Sequence, residues 1–302
     1  MAFFHHLLRR ARGVAGVALL AMLAGSAPAA HAQQAASGDA LRAKYAALRP
    51  QLERNAFRLP IVLNSTEQPD NVRGEIYAVV DYPFTAVSPA LSGAGRWCEI
   101  LMLHLNTKYC RADTAPAGTV LSMNIGKKFD QPLKDSYQVR FAYSVAASTP
   151  DYLRVPLTAD AGPMGTRDYR IVLEAIPVEG KTFIHLSYSY GFGLAGKWAM
   201  QLYLGTVGAS KVGFTEAGRG ADGRPLYIGG MRGLVERNTM RYYLAIDAYL
   251  GSLAVPPPAQ LDKRLQDWFA AAERYPAQLH EMERADYLTM KHSEFRRMQA
   301  SG

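Results

Sequence analysis

Cysteine is nearly missing from this sequence, with only Cys98 and Cys110 in 302 residues. No CxxC, no HExxH and no GxSxG occurs, which removes the familiar spacings for a zinc or redox site, a zinc-protease helix and a serine-hydrolase elbow. Internal repeats and low-complexity tracts are absent as well. Lys and Arg outnumber Asp and Glu by 34 to 26, giving a formal charge of +8, yet the basic residues are scattered rather than gathered on one stretch. That distribution argues against nucleic acid as a partner. Neither a cofactor nor a metal site is predicted, and no catalytic residue is assigned.

The N-terminus is the most specific feature present. Arg9, Arg10 and Arg12 precede an apolar run from Val14 to Ala24, and Ala30-His31-Ala32 sets small residues where a signal peptidase reads. Residues 1–32 therefore read as a secretory signal peptide cleaved between Ala32 and Gln33. The apolar run is too short for an ordinary membrane span, and no cysteine near the cleavage site offers a lipid anchor. A periplasmic or secreted protein is predicted. Cleavage would remove Arg9, Arg10 and Arg12 and no acid, lowering the charge to about +5, a balance that suits transient contact with an anionic membrane surface. An oxidising compartment also predicts a disulfide between Cys98 and Cys110, with a structural role.

Residues 33–38 read as a disordered leader. Asp39 is placed to cap a helix through LRAKYAALRPQLERNAF, on which Leu41, Tyr45 and Leu48 recur at three- and four-residue spacing. Residues 57–63 form a short strand candidate containing a proline, and GEIYAVVDYPF a firmer one. PFTAVSPALSGAGRW fits one or two short helices. EILMLHLNTKYC is ambiguous: as a strand it groups Leu101, Leu103 and Leu105, and as a helix it stacks Trp97, Leu101 and Leu105. Five short alternating segments follow (TVLSMNIG, YQVRFAYSVAAST, DYLRVPL, RDYRIVLEAIP and KTFIHLSYSYG). None of the gaps between them can hold a crossover helix, so the sheet is expected to be antiparallel and meandering.

The rest of the chain is organised around residues 182–208. In the first half Ile184, Leu186, Tyr188 and Tyr190 share one strand face, while Phe183, His185, Ser187 and Ser189 share the other. Gly191 and Gly193 break the strand. Residues 194–207 then have helical spacing with few polar side chains, which fits a buried core helix or a lip over an apolar cavity. A helix from about Met231 to Leu250 carries an apolar stripe of Met231, Val235, Tyr242, Ile246 and Tyr249. After VPPPAQ, residues 255–302 read as a charged helical extension whose apolar side includes Trp268 and Phe269.

This order of elements resembles the START-like, or helix-grip, superfamily (SRPBCC, Bet v 1-like) of hydrophobic-ligand binding proteins. The matching pieces are GEIYAVVDYPFTAVSPAL, the meander from FAYSVAAS to SYSYG, and MRGLVERNTMRYYLAIDAYL. The resemblance implies an α+β domain over residues 39–254, with a curved antiparallel sheet wrapped round a long C-terminal helix and an apolar cavity between them. It further implies a lipid, sterol or fatty-acid-like ligand. Binding and carriage is the first functional class. An enzyme on the same cavity, such as a cyclase, hydratase or hydrolase, is the second, and a structural or interaction protein with a filled core is the third.

Candidate ligand-binding residues are His104, His185, Tyr188, Tyr190, Trp198, Tyr203, Glu236, Tyr242 and Tyr243. The tyrosines combine apolar rings with hydroxyl handles, which suits an amphipathic ligand and also an ordinary core. His104 and His185 read first as satisfied internal histidines and second as polar anchors, with no carboxylate spaced to share a metal. Glu236 reads as part of a solvated helix face or as a polar contact deep in the cavity, since an internal charge needs a partner. GFGLAG, from Gly191 to Gly196, has the GxGxxG pattern, but an antiparallel setting does not supply the βαβ unit of a dinucleotide site. Trp198 stands where a phosphate loop needs Ser or Thr, so the glycines read as a strand-to-helix turn.

Overall fold

The structure, a computed structural model, describes residues 27–193 and 211–300. A long helix, α1 (Ala27–Glu53), leads into the hairpin β1 (Ile61–Gln68) and β2 (Asn71–Val80), followed by two short helices, α2 (Phe84–Leu91) and α3 (Ala94–Leu101). The meander comprises β3 (Thr107–Ala115), β4 (Gly118–Ile125), β5 (Tyr137–Tyr143), the short β6 (Ala147–Thr149), β7 (Tyr152–Ala161), β8 (Thr166–Val178) and β9 (Lys181–Phe192). A small separate hairpin, β10 (Glu216–Arg219) and β11 (Pro225–Tyr227), precedes the long helix α4 (Gly230–Ser252). Three more helices close the described chain: α5 (Pro257–Ala272), α6 (Pro276–Leu279) and α7 (Arg284–Ala300).

The main sheet runs β1-β2-β9-β8-β7-β5-β4-β3, with every pair antiparallel and β6 attached to β7. The first and last long strands, β2 and β9, are thus neighbours, and the sheet wraps α4. This is the α+β helix-grip arrangement expected from the sequence. The β8–β9 turn is carried by Glu179 and Gly180, both at positive φ, the conformation that a tight two-residue hairpin requires. Gly74 on β2 lies under α4, where a β-carbon would clash with the Thr239 hydroxyl. A residue without a side chain lets the helix seat directly on the strand.

Strand alternation divides the sheet into two buried faces. The inner face, with Ile76, Ala78, Leu173, Ile184 and Leu186, shares one core with α2, α3 and α4. The outer face presents Tyr77, Ile176 and Phe183 to Leu41, Leu48 and Leu52 of α1. Helix α4 is buried almost all round because the C-terminal helices cover its far side. Trp268 is 1 % exposed; its indole N–H donates to the Arg241 carbonyl and its ring stacks on Tyr287 at 5.0 Å. The extension after residue 254 therefore belongs to the same core as the sheet.

Three local expectations are revised. Residues 33–38 continue α1 instead of forming a disordered leader, in keeping with the strong helix preference of an alanine-rich run. The first strand begins at Ile61, after Pro60, where the chain is free of proline and can pair with β2. The ambiguous stretch is divided: α3 ends at Leu101, a turn follows, and β3 starts at Thr107. Cys98 on α3 and Cys110 on β3 are joined by the predicted disulfide, which ties the two elements across that turn.

Candidate functional site

The inner face carries a row of aromatic side chains between the sheet and α4. Phe192, Tyr190, Tyr188 and Tyr169 come from β9 and β8, and Phe141 from β5. Tyr190 stacks on Tyr169 at 5.3 Å, and Tyr188 meets Tyr242 of α4 edge-on at 5.3 Å. Tyr242 in turn lies 5.0 Å from the imidazole of His104. Burial drives the phenol pKa up for Tyr169, to about 12, and further for Tyr188, Tyr190 and Tyr242, so all four stay protonated at neutral pH.

The row is poorly supplied with hydrogen bonds. Tyr169 shares one with Thr166 at 2.7 Å. Among the described residues, none bonds to the hydroxyl of Tyr188, Tyr190 or Tyr242. At the far end His104 is 4 % exposed, and its Nε2 has no hydrogen-bond partner among the described residues. The Asn238 amide comes near this ring but falls outside hydrogen-bond geometry. A buried polar group left unpaired costs about 1–3 kcal/mol. His104 Nε2 is such a group, and it marks the end of the row where a ligand's polar atom would be accepted.

His104 itself is held firmly. It sits in the turn between α3 and β3, where its Nδ1 accepts from the Asn106 backbone N–H at 3.2 Å. The carbonyls of His104 and Thr107 accept from Lys291 Nζ on α7 at 2.7 and 2.8 Å. Glu294 takes both Lys291 and Lys108, at 2.7 and 2.9 Å, and all three side chains are fully buried. The Tyr287 hydroxyl donates to the Leu103 carbonyl. Beside this clamp Glu281 takes Arg241, Lys128 and Lys211 at 2.8, 2.6 and 3.2 Å. Burial, then the nearby positive charges of Arg241 and Lys291, push the His104 pKa well below its ordinary value. Burial likewise lowers Lys291 to about 8.

His185 occupies the opposite face of the sheet and never approaches His104. Its Nε2 and Nδ1 each lie 2.9 Å from a carboxylate, Glu75 and Glu174 respectively. A ring flanked by two carboxylates donates from both nitrogens, so it is the imidazolium that fits. Burial alone would lower the His185 pKa, but the bonds to Glu174 and Glu75 outweigh it and raise it. Its ring stacks on Tyr77 at 4.4 Å, and the Tyr152 hydroxyl donates to Glu174. Sequence spacing offered no carboxylate because Glu75 and Glu174 arrive from neighbouring strands, β2 and β8.

Other candidates also separate from the row. Glu236 is fully buried on neither a solvated face nor the aromatic row. Its carboxylate accepts from Ser65 Oγ, the backbone N–H groups of Phe214 and Thr215, and Thr215 Oγ1. It fastens the segment before β10 to α4 and β1. Tyr243 is one residue, hence about 100°, round the helix from Tyr242, and its electrostatic neighbours are Asp247, Tyr275 and Tyr82. Trp198, Tyr203 and the rest of the apolar segment 194–207 lie outside the described residues. Sequence reasoning missed Tyr169 and Phe141 as members of the row, although both alternate in register with residues of the inner core.

Two open clefts, of 620 and 700 Å³, lie elsewhere: one between Lys128, Phe129 and α7, the other on the outer face of β4, β5 and β7. Neither is lined by the aromatic row. Among the described residues no group of His, Cys, Asp and Glu is arranged to hold a metal, and no helix is long and apolar enough to cross a membrane.

No family model and no curated protein matches the chain by sequence. Solved structures that resemble it include norcoclaurine synthase from Thalictrum flavum, at 14 % identity over 49 % of this chain and 82 % of that one, with a TM-score of 0.31. Ara h 8.0201 resembles it at 10 % identity over 63 % of this chain and 99 % of that one, TM-score 0.35. The di-domain ARO/CYC StfQ from the steffimycin biosynthetic pathway does so at 13 % identity over 68 % and 52 %, TM-score 0.33. At such scores the helix-grip assignment rests on this chain's own strand order.

Proposed function

We propose that the protein is an exported, non-catalytic binder and carrier of an apolar or amphipathic small molecule, lipid-, sterol- or fatty-acid-like, held between the inner face of the sheet and α4. The observation that carries this reading is the aromatic row ending at His104, whose buried Nε2 has no hydrogen-bond partner among the described residues. The apolar body of a ligand would lie along the rings, and its polar end would meet that nitrogen. Export is supported by the arginine-flanked apolar run and Ala30-His31-Ala32. The disulfide between Cys98 and Cys110 accords with an oxidising compartment. The basic balance suits loading and release at an anionic membrane surface.

Catalysis at the same row would need an acid–base pair within hydrogen-bond range. His104 has no carboxylate partner among the described residues; His185, His280 and His292 do, with Glu75 and Glu174, Glu273 and Asp262 respectively, and none of these three belongs to the row. One observation favours a filled core instead: neighbouring rings along the row touch, so Tyr188 or Tyr242 must change rotamer to admit a ligand. Native mass spectrometry of protein purified from its own compartment, followed by lipid extraction, separates the two. The carrier reading expects a non-covalent adduct of lipid-like mass. A bare chain that also fails to take up a long-chain fluorescent lipid would establish the filled core.

A further inference from the structure

We propose that His104 donates its Nε2–H to an oxygen acceptor of the ligand, and that the site thereby selects amphipathic acids over amines and plain hydrocarbons of the same length. This rests on the carrier reading and names the ligand's polar end. His104 Nδ1 accepts from the Asn106 N–H at 3.2 Å, and a ring nitrogen that accepts carries no proton of its own. In a neutral imidazole the proton is then on Nε2, which makes that atom a donor. The ring is 4 % exposed and Nε2 has no partner among the described residues. Tyr242, tilted against it at 5.0 Å, is the last ring of the row. A molecule lying along the row would bring its end group to this donor.

The charges around the turn decide which acceptor is favoured. Glu281 faces three cations, Arg241, Lys128 and Lys211, and Glu294 faces two, Lys108 and Lys291. Positive charge exceeds negative on both sides of His104, and the same surroundings hold its ring neutral. A carboxylate gains a charge-assisted hydrogen bond and a favourable field, a carbonyl gains the hydrogen bond alone, and an ammonium is opposed by both. The donor is also fixed in place, since Lys291 grips the carbonyls of His104 and Thr107.

The test uses the full mature chain and four probes of equal length: dodecanoic acid, methyl dodecanoate, dodecane and dodecylamine. Affinity is measured by displacement of a fluorescent lipid from wild type, His104→Phe and His104→Gln. Wild type should prefer the acid to dodecane and dodecylamine by about tenfold or more, with the ester between, as expected for one charge-assisted hydrogen bond. His104→Phe should bring the acid down to the level of dodecane while leaving dodecane unchanged, and His104→Gln, which keeps a donor, should restore part of the preference. Equal affinities for acid, ester and hydrocarbon would overturn the role of His104 and leave the carrier reading standing. Failure of all four probes and of the fluorescent lipid to bind would overturn both. Independently of any ligand, long-range nitrogen–proton NMR of the His104 ring should show the Nε2–H tautomer; a proton on Nδ1 would overturn the proposal.

Discussion

The two faces of one sheet treat a buried histidine in opposite ways. On the outer face His185 is bonded at both nitrogens, to Glu75 and Glu174, and stacks on Tyr77 beneath α1. On the inner face His104 is bonded at one nitrogen and leaves the other unpaired against Tyr242. The same contrast runs through the tyrosines: Tyr152 outside donates to Glu174, while Tyr188 and Tyr242 inside have no such acceptor among the described residues. Polar satisfaction, not residue type, separates the two histidines.

The largest effect is expected where the inner histidine is held. Glu294 neutralises two lysines in full burial, so Glu294→Gln strands both charges and should cost roughly 3–5 kcal/mol in chemical denaturation. A loss under about 1 kcal/mol would show that the clamp does not position His104. His185→Ala should cost less, about 1–3 kcal/mol, because Glu75 and Glu174 lose a common donor near the surface. It should leave uptake of a fluorescent lipid unchanged. Impaired uptake with an intact melting transition would collapse the distinction between the faces.

The histidines should also pull the pH dependence of stability in opposite directions. The folded pKa of His185 is raised above 6.5, so its contribution is complete below that unfolded value and fades as pH rises through the folded one. The folded pKa of His104 is lowered from 6.5, so its contribution is complete above 6.5 and fades as pH falls toward the folded value. Subtracting the stability profiles of His185→Gln and His104→Gln from wild type should therefore give slopes of opposite sign. Parallel slopes would contradict the two environments. The smallest expected difference is between two Tyr→Phe changes: about 0.5–1.5 kcal/mol for Tyr152, whose hydroxyl is bonded, and near zero for Tyr242.

Much of this contrast is legible in the sequence. Alternation along β9 already set Tyr188 and Tyr190 on the face opposite His185, and the structure keeps that division. His185, on the other face, does not share one site with those tyrosines. The hairpin after Pro177, the antiparallel order and the cysteine pair follow from local signals of turn and compartment. What local pattern did not give is the long-range pairing. Glu174 reaches His185 across a strand pair, Ser65 and Thr215 reach Glu236 from distant segments, and Lys291 reaches the His104 turn from the far end of the chain. The stretch around Leu101 was undecidable because a short apolar run fits both periods, and the break falls within it. Tyr242 and Tyr243 are neighbours in sequence, yet adjacent helical residues point in different directions.

The central claim is that a ligand enters against the inner face and reaches His104. Side-chain NMR of the histidine rings during titration with dodecanoic acid tests it most directly, because one spectrum reports both faces. The account predicts that the His104 resonances shift with saturation while those of His185 stay in place. Movement of His185 alone, or of neither ring at concentrations where the acid is bound, would contradict it.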